Sequence, residues 1–287
     1  MDRAELWIKL DGMNAETCGG NKARELEFLL AGVRRGATIL TAGGEGSTHV
    51  LATALHARRL GASVVGMRWR HEMNETAYRV AGMITEQCAS SHVHGNATIA
   101  ILRTQLARLT QRYRYIPLGG STPLGALAHV NAALELAAQV RAGELPAPKR
   151  VVVPLGSGGT VAGLSLGFAI AGLDAATIAV QVTPAIVANR MHVRRLISRT
   201  ARLIERVTGE RVPRVPAQLL GIVHDAYGGA YGRAFPAATA AARELHASTG
   251  IRLDDTYSAK AFVVALALAR AGDGATLFWD TFDSRLI

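Results

Sequence analysis

Short apolar runs of β-type residues alternate with stretches of helical periodicity over most of the chain. Strands are predicted at residues 37–41, 63–67, 92–94, 113–116, 151–154, 177–182 and 276–279. Helices are predicted near residues 22–35, 47–60, 97–110, 123–141, 158–171, 186–207, 234–248 and 257–271. This alternation predicts an α/β fold whose open parallel sheets are flanked by helices.

The composition is that of a folded protein, with 49% hydrophobic and 19% charged residues among 287. These values exclude a disordered chain and predict a substantial core, in one large domain or two smaller ones. No apolar run reaches the roughly 18 residues that span a membrane, and the first residues form no hydrophobic signal region. Two cysteines are too few for a disulfide framework, so we expect a cytoplasmic protein with no membrane partner.

The formal net charge of +10 comes from 32 lysines and arginines against 22 acidic residues. The arginines are scattered singly and in pairs, without a basic tract or an aromatic RNA-binding pattern, so we expect no nucleic-acid partner. The histidines do not cluster with carboxylates or cysteines, so no metal site is expected. A Schiff base needs a lysine, and only four of the cations are lysines: Lys9, Lys22, Lys149 and Lys260.

One glycine-rich turn follows a buried strand and leads into a helix; it consists of Gly156, Ser157, Gly158, Gly159 and Thr160. Glycines let the backbone bring several N–H groups to an anion, and the helix N-terminus adds a partial positive charge. The turn is neither a Walker loop nor a G-x-G-x-x-G motif, which argues against a nucleoside triphosphate. We interpret it as a phosphate cradle; the alternative is a tight turn without a ligand.

A second strand-to-helix turn contains Gly46, Ser47, Thr48 and His49. Its backbone N–H groups can bind a carboxylate. An ordinary helix capped by a serine or threonine is an equal alternative.

A third turn, formed by Gly19 and Gly20, precedes a helix whose first turn contains Lys22. The helix dipole there disfavours the ammonium form, which suits a nucleophilic amine; a surface lysine is the alternative. An amine, a phosphate cradle and a carboxylate cradle are together what a pyridoxal 5'-phosphate enzyme acting on an amino acid requires.

Four segments in sequence order, residues 19–27, 119–125, 156–163 and 253–260, resemble the 1-aminocyclopropane-1-carboxylate deaminase/D-cysteine desulfhydrase family. The resemblance spans nearly the whole chain and implies fold type II, the tryptophan synthase beta-subunit-like fold, with pyridoxal 5'-phosphate as cofactor. It implies a large cofactor-binding domain of residues 1–36 and 121–287, a small inserted domain of residues 37–120, and an active site between the domains. It also implies a homodimer and a small amino-acid substrate.

The resemblance further implies roles for individual residues. Lys22 would form the internal aldimine and later move a proton, with Ser47, Tyr231 and Tyr257 as further catalytic residues. Cofactor-binding roles fall to Lys22, Thr48, Gly156, Ser157, Gly158, Gly159, Thr160 and Thr281. Substrate-binding roles fall to Ser47, Thr48 and His49.

The chain departs from the family beside the cofactor ring. Thr48 replaces an asparagine that contacts the phenolic oxygen, and Ser258 stands where the deaminases have a glutamate at the pyridine nitrogen. A hydroxyl from Ser258 or Thr281 favours an unprotonated nitrogen, and hence a weaker electron sink. This favours α,β-elimination or β-replacement through an aminoacrylate over ring opening of 1-aminocyclopropane-1-carboxylate.

Two alternatives stay open at this point. Residues 280–283 replace a His-Thr-Gly-Gly segment of the family, and a carboxylate of Asp280 or Asp283 at the nitrogen would reverse the preference towards ring opening. The altered C-terminal segment and Thr48 are also compatible with a non-catalytic protein that binds the cofactor. The sequence indicates neither the substrate nor its D or L configuration.

Overall fold

Residues 5–286 are described by the computed structural model, which has an α/β architecture. In chain order its strands are β1 (Leu6–Leu10), β2 (Thr38–Gly44), β3 (Ser63–Trp69), β4 (Ser90–His94), β5 (Arg114–Tyr115), β6 (Arg150–Leu155), β7 (Ala176–Gln181), β8 (Leu220–Val223) and β9 (Thr276–Asp280). Within these residues, five strands form a sheet in the order β1-β9-β6-β7-β8, and four form a second sheet in the order β4-β3-β2-β5. All neighbouring strands are parallel, so the predicted fold class is confirmed.

The helices of the described residues connect these strands. They are α1 (Asn21–Leu29), α2 (Thr48–Arg59), α3 (Glu75–Gln87), α4 (Ala97–Thr110), α5 (Pro123–Arg141), α6 (Gly159–Ala171), α7 (Arg190–Thr208), α8 (Pro236–Thr249) and α9 (Ser258–Arg270). Many begin at a side-chain cap that accepts a hydrogen bond from the first turn; the caps are Ser47, Asn74, Asn96, Thr122 and Asn189. Each such cap contributes about 1 kcal/mol.

Both faces of the larger sheet are covered, as the buried strand β6 shows. Val151 and Val153 pack in a core with residues of α5, α6 and α7. Val152, between them, points to the opposite face and packs with residues of α8 and α9. Because side chains alternate across a strand, a continuous apolar run such as this one is typical of a strand buried on both faces.

Helices α5 and α6 pack closely because α6 carries glycines where it meets α5. A Cβ added at Gly163 would lie 2.3 Å from the Ala126 carbonyl oxygen, and one added at Gly167 would lie 2.5 Å from Ala133 Cβ. This contact holds the N-terminus of α6 against residues 119–122, which precede α5. The predicted phosphate cradle is therefore built on two closely packed helices.

Several element boundaries differ from the prediction. The helix predicted at residues 22–35 ends at Leu29, and the following turn contains Gly32 and Gly36 with φ of +71° and +82°. Helix α3 was not predicted, although Asn74 caps it and its buried positions follow helical spacing. Strand β8 was also missed, because it has four residues and pairs only with β7 among the described strands.

The two sheets are built from different parts of the chain. The smaller sheet uses strands between residues 38 and 115, whereas the larger sheet combines strands from both ends of the chain. The exact boundaries, residues 1–36 plus 121–287 and residues 37–120, stay a prediction. No helix within residues 5–286 is long and apolar enough to cross a membrane.

Candidate active site

Lys22 lies in the first turn of α1, with its amine directed into the protein. Gly20, which precedes the helix, has φ of +91°, and a Cβ there would lie 2.3 Å from the Thr281 carbonyl oxygen. Lys22 Nζ donates to the Gly119 carbonyl oxygen at 2.8 Å and to both carboxylate oxygens of Glu25, at 3.0 and 3.1 Å. The lysine side chain is 15% exposed, so it is not the surface lysine of the alternative interpretation.

Glu25 connects this lysine to the phosphate cradle through a buried hydrogen-bonded chain. Its carboxylate lies 3.1 Å from His129 Nε2, which lies 3.3 Å from Thr160 Oγ1. Asn21 Nδ2 donates to the same Thr160 hydroxyl at 3.0 Å. Burial raises the pKa of Glu25, but Lys22 and His129 outweigh burial, so the pKa is lowered and the carboxylate is charged.

The ion pair between Lys22 Nζ and Glu25, at 3.0 Å, was not expected from the sequence. Glu25 and His129 were not recognised as site residues from the sequence. The spacing of Lys22 and Glu25, three apart on one helix, was the available indication for Glu25. His129 lies on α5, and nothing in its local sequence indicates this contact.

The predicted phosphate cradle lies between the end of β6 and the start of α6, as expected. Gly158 has φ of +92°, a conformation that favours glycine. The Gly159 N–H donates to Ser121 Oγ at 3.0 Å, and Ser121 Oγ donates to Ser157 Oγ at 2.6 Å. A Cβ at Gly159 would lie 2.9 Å from Ser121 Oγ, so a larger residue would fill the cradle. Glycines, hydroxyls and the free N–H groups of a helix start fit a phosphate group.

The cradle is adjacent to the lysine. A Cβ at Gly119, whose carbonyl oxygen accepts from Lys22, would lie 2.1 Å from Ser157 Oγ. Lys22 and Ser157 therefore contact the same glycine from two sides. The structure thus brings together an amine and an anion cradle that lie 134 positions apart in the sequence, from residue 22 to residue 156.

The turn after β2 is a capped helix start. Ser47 is 5% exposed, and its Oγ accepts from the Val50 N–H at 3.5 Å. His49 is 4% exposed and its Nε2 lies 2.9 Å from Thr41 Oγ1. Burial and the charge of Lys22 lower the pKa of His49 to about 3, so its ring is neutral. A carboxylate at this turn would therefore be bound by backbone N–H groups rather than by a charged imidazole. Thr48 is half-buried, whereas Ser47 and His49 are buried.

Tyr231 and Tyr257 form a hydrogen-bonded pair between the ends of β2 and β6. The Tyr231 ring lies 4.7 Å from the His71 ring, and a Cβ at Gly44, the last residue of β2, would lie 2.9 Å from Tyr231 Cε1. Tyr257 Cε1 would lie 3.9 Å from a Cβ at Gly156. The pair therefore reaches from the smaller sheet to the phosphate cradle.

Both phenols are neutral at ordinary pH. Burial raises the pKa of Tyr231 to about 12, and burial together with the neighbouring Tyr231 raises the pKa of Tyr257 well above its usual range. Neutral phenols donate protons and hydrogen bonds, so neither tyrosine is a ready base.

The C-terminal strand β9 brings Asp280 to Ser258 at the start of α9. Ser258 Oγ donates to Asp280 Oδ1 at 2.6 Å, and both residues are buried. Burial raises the pKa of Asp280 to about 7, although the bond from Ser258 lowers it. Asp283 is engaged elsewhere, with the Gly19 N–H and Arg285. Of the two carboxylates left open by the sequence, Asp280 is therefore the one beside Ser258.

The remaining lysines have other partners. Lys9 contacts Glu135 and donates to Gln139 at 2.7 Å, and Lys149 is an exposed partner of Asp273. Lys260 is buried and donates to the Tyr227 carbonyl oxygen at 2.7 Å, beside the loop that carries Tyr231. Burial lowers its pKa to about 8. Lys260, one of the four lysines named from the sequence, is thus the main competitor of Lys22 as a reactive amine.

Comparison with known proteins identifies the family. The family model described as pyridoxal-phosphate dependent enzyme matches residues 2–277. The chain belongs to this family. Pyridoxal phosphate is therefore its cofactor, and the predicted fold type and cofactor are confirmed. Among residues 5–286, no group of three or more histidine, cysteine or acidic side chains is placed to hold a metal ion.

Three proteins similar to this chain match it over 90% or more of its length, and two of them carry names of the family that the sequence motifs resemble. Nocardicin C-9' epimerase of Nocardia uniformis subsp. tsuyamanensis is 36% identical over 97% of this chain and 86% of the relative. D-cysteine desulfhydrase of Salmonella schwarzengrund is 31% identical over 90% of this chain and 79% of the relative. The crystal structure of an ACC deaminase homologue superimposes with a TM-score of 0.77 and 26% identity, covering 97% of this chain and 84% of the other.

Proposed function

We propose that this pyridoxal-phosphate dependent enzyme acts on a small amino acid by α,β-elimination or β-replacement, with Lys22 as the cofactor-binding lysine. The main support is that Lys22 and Ser157 both contact Gly119, because this places the amine beside the phosphate cradle. Similarity to a D-cysteine desulfhydrase over 90% of the chain supports elimination. A homodimer, which the family resemblance implies, and a cytoplasmic location, which the two cysteines favour, are part of this proposal.

The residues present fit the cofactor. The cradle of residues 156–160 would hold its phosphate, and Lys22 would bond to its carbonyl carbon. Ser258 and Thr281 would lie towards the ring nitrogen. The carbonyl oxygen of Thr281 accepts a hydrogen bond from the Asn21 N–H at 3.2 Å, which ties this residue to the start of α1. Pyridoxal phosphate, when bound, delocalises the electron pair that remains on the substrate after a proton is lost from the α-carbon.

The protein's own groups would supply binding and proton transfer. The N–H groups of residues 46–49 would orient the substrate carboxylate at the start of α2. Lys22, released as an amine, would remove the α-proton. Tyr231 and Tyr257 would donate a hydrogen bond or a proton, since both phenols are neutral. Ser47 caps α2 and would assist only if its hydroxyl turned away from Val50.

The Ser258–Asp280 bond changes the argument about the reaction. The Ser258 hydroxyl donates its hydrogen bond to Asp280. The Ser258 oxygen is therefore left as an acceptor, and it can accept a hydrogen bond from a protonated ring nitrogen. The preference for elimination therefore no longer rests on an unprotonated nitrogen. It rests on the relative that is named a D-cysteine desulfhydrase, and ring opening stays as an alternative.

Epimerisation at a carbon next to an amino group is a second candidate function. The relative with 36% identity is named an epimerase. The configuration would invert if Lys22 removed the α-proton and a second group returned a proton to the opposite face of that carbon. The neutral Tyr231–Tyr257 pair is the candidate for this second group.

One experiment separates these functions. The loaded enzyme is incubated in D₂O with a panel of D- and L-amino acids, including 1-aminocyclopropane-1-carboxylate. Release of ammonia and a 2-oxo acid from a β-substituted amino acid supports elimination, whereas ring opening gives the same classes of product from the cyclopropane. Deuterium incorporation with inversion and no ammonia supports epimerisation. A panel without release or exchange would support the non-catalytic alternative and contradict the proposal.

The lysine assignment has its own test. Borohydride reduction of the loaded protein fixes the cofactor to its amine, and peptide mass spectrometry locates it. We expect the mass increase on the peptide that contains Lys22, its loss in Lys22→Ala, and its retention in the exposed control Lys149→Ala. A label on the peptide that contains Lys260 would contradict the assignment.

A further inference from the structure

Glu25 is a buried carboxylate between the two halves of the proposed cofactor site. Its side chain is 1% exposed. Its oxygens accept from Lys22 Nζ at 3.0 and 3.1 Å, and one of them lies 3.1 Å from His129 Nε2. The role inferred for this carboxylate rests on the proposed function, because it concerns the charge of Glu25 when Lys22 holds the cofactor.

The three hydrogen bonds of the Lys22 amine cannot survive attachment of the cofactor. An ammonium has three N–H donors, and this one serves Gly119 and both oxygens of Glu25. Formation of a C=N bond to the aldehyde carbon expels the aldehyde oxygen as water with two of those hydrogens. The nitrogen keeps one hydrogen and its positive charge. One N–H cannot serve three acceptors, so Glu25 loses at least one hydrogen bond.

The cofactor phosphate adds to this loss. Glu25 Oε1 would lie 3.2 Å from a Cβ at Gly159, inside the cradle that is proposed to bind the phosphate. A phosphate monoester carries a charge of about −1.5 to −2 near neutral pH. Two anions that share a buried space repel each other strongly, which favours protonation of one of them.

The groups that face Glu25 explain why it is charged before the cofactor binds. Burial raises the pKa of Glu25, and Lys22 on α1, His129 on α5 and His49 on α2 lower it. The three neighbouring groups outweigh burial, so the pKa of Glu25 is lowered in this structure. The neighbouring hydroxyls of Thr160, which contacts His129, and of Ser121, which lies beside Gly159, carry no charge. When Lys22 turns to the cofactor, its effect in lowering the pKa of Glu25 weakens, whereas the effect of burial in raising that pKa remains.

We propose that Glu25, which is hydrogen-bonded to His129, takes up about one proton from solvent when the cofactor becomes bonded to Lys22, which limits the negative charge buried at the site. Glu25 is in this sense a positioning and charge-balancing residue rather than a catalytic one. It would make cofactor loading dependent on pH.

Isothermal titration calorimetry of the apoprotein tests the proposal. Titrations near pH 7 in buffers of different ionisation enthalpy give the number of protons taken up per cofactor bound. Pyridoxal 5'-phosphate is compared with pyridoxine 5'-phosphate, which has the same phosphate and no aldehyde. The proteins are wild type, Glu25→Gln and the control Glu27→Gln, whose side chain is exposed on the same helix.

With pyridoxal 5'-phosphate, wild type and Glu27→Gln are expected to take up about one proton more than Glu25→Gln. With pyridoxine 5'-phosphate the three proteins are expected to agree, because Lys22 keeps its two hydrogen bonds to Glu25 and these outweigh the repulsion from the phosphate alone. Equal uptake by wild type and Glu25→Gln with the aldehyde, while the cofactor is found on Lys22 by borohydride trapping, overturns this proposal alone. Absence of any cofactor on Lys22 overturns the proposed function as well.

A wild-type measurement covers the case in which Glu25→Gln does not fold. Infrared difference spectra are recorded as each ligand is added to the wild-type apoprotein. A protonated-carboxyl stretching band is expected to appear with pyridoxal 5'-phosphate and not with pyridoxine 5'-phosphate. No band with the aldehyde, or the same band with both ligands, overturns the link to Lys22.

Discussion

At the scale of single residues, the partners of the buried carboxylates of Glu25 and Asp280 decide which of them is charged. Glu25 faces an ammonium and an imidazole, and its pKa is lowered. Asp280 faces the hydroxyl of Ser258 and the Phe282 N–H, which do not offset its burial, and its pKa rises to about 7. The pKa values of the two carboxyl groups are therefore shifted in opposite directions although both groups are buried.

Asp280→Asn tests the second of these statements through stability. The pKa of Asp280 is about 7 in the folded protein against 3.8 for an unperturbed carboxyl, so the folded state prefers the protonated form. Its contribution to stability is fully present below pH 3.8 and is lost as the pH rises through 7. The asparagine variant lacks this loss. The difference in unfolding free energy between the variant and wild type should therefore change in favour of the variant by about 1 kcal/mol or more per pH unit between about pH 5 and 7.

Urea unfolding at the two pH values measures this gain. Asp174→Asn, at an exposed position, is the control and should show a constant difference from wild type. A constant difference for Asp280→Asn as well would show that the carboxyl is already ionised at the lower pH.

At the scale of elements, the sequence predicted best what is local and buried. Strand β6 and its glycine turn were predicted because a continuous apolar run followed by Gly-Ser-Gly-Gly is visible within about a dozen residues. Helix α3 was missed although its local signals are present, because Asn74 caps it and its buried residues Ala77, Val80 and Ile84 follow helical spacing. The contact of Glu25 with His129 joins positions 104 apart, and no local pattern encodes it.

Helix packing gives a prediction at this scale. Gly167→Ala should lower the unfolding free energy by about 1–3 kcal/mol, because the new methyl group would lie 2.5 Å from Ala133 Cβ and force α5 and α6 apart. Gly82→Ala is the matched control, since it lies in α3 with open space around the added Cβ. That variant should gain about 0.5–1 kcal/mol from helix propensity. Thermal or urea unfolding measures both; a stabilised Gly167→Ala variant would show that α5 and α6 adjust without cost.

At the scale of the whole molecule, the two sheets meet across loops that carry the candidate catalytic tyrosines. Asn74 accepts from the Ala77 N–H at the start of α3, and its Nδ2 donates to the Gly232 carbonyl oxygen at 3.1 Å and to Thr256 Oγ1 at 2.8 Å. Gly232 follows Tyr231, and Thr256 precedes Tyr257. One side chain at the start of α3 thus holds both tyrosine segments of the larger part of the molecule.

Asn74→Asp isolates this connection, because aspartate is an equally good helix cap but has no N–H to donate. Loss of the two hydrogen bonds should cost about 1–2 kcal/mol of local stability and speed amide hydrogen exchange in residues 225–233 roughly fivefold to thirtyfold. Asn96→Asp is the matched control, since Asn96 caps α4 in the same way on an exposed surface. Hydrogen exchange followed by mass spectrometry compares the two variants. If exchange in this segment is unchanged in Asn74→Asp, the tyrosine loop is held mainly by other contacts, such as the ion pair of Arg233 with Glu72.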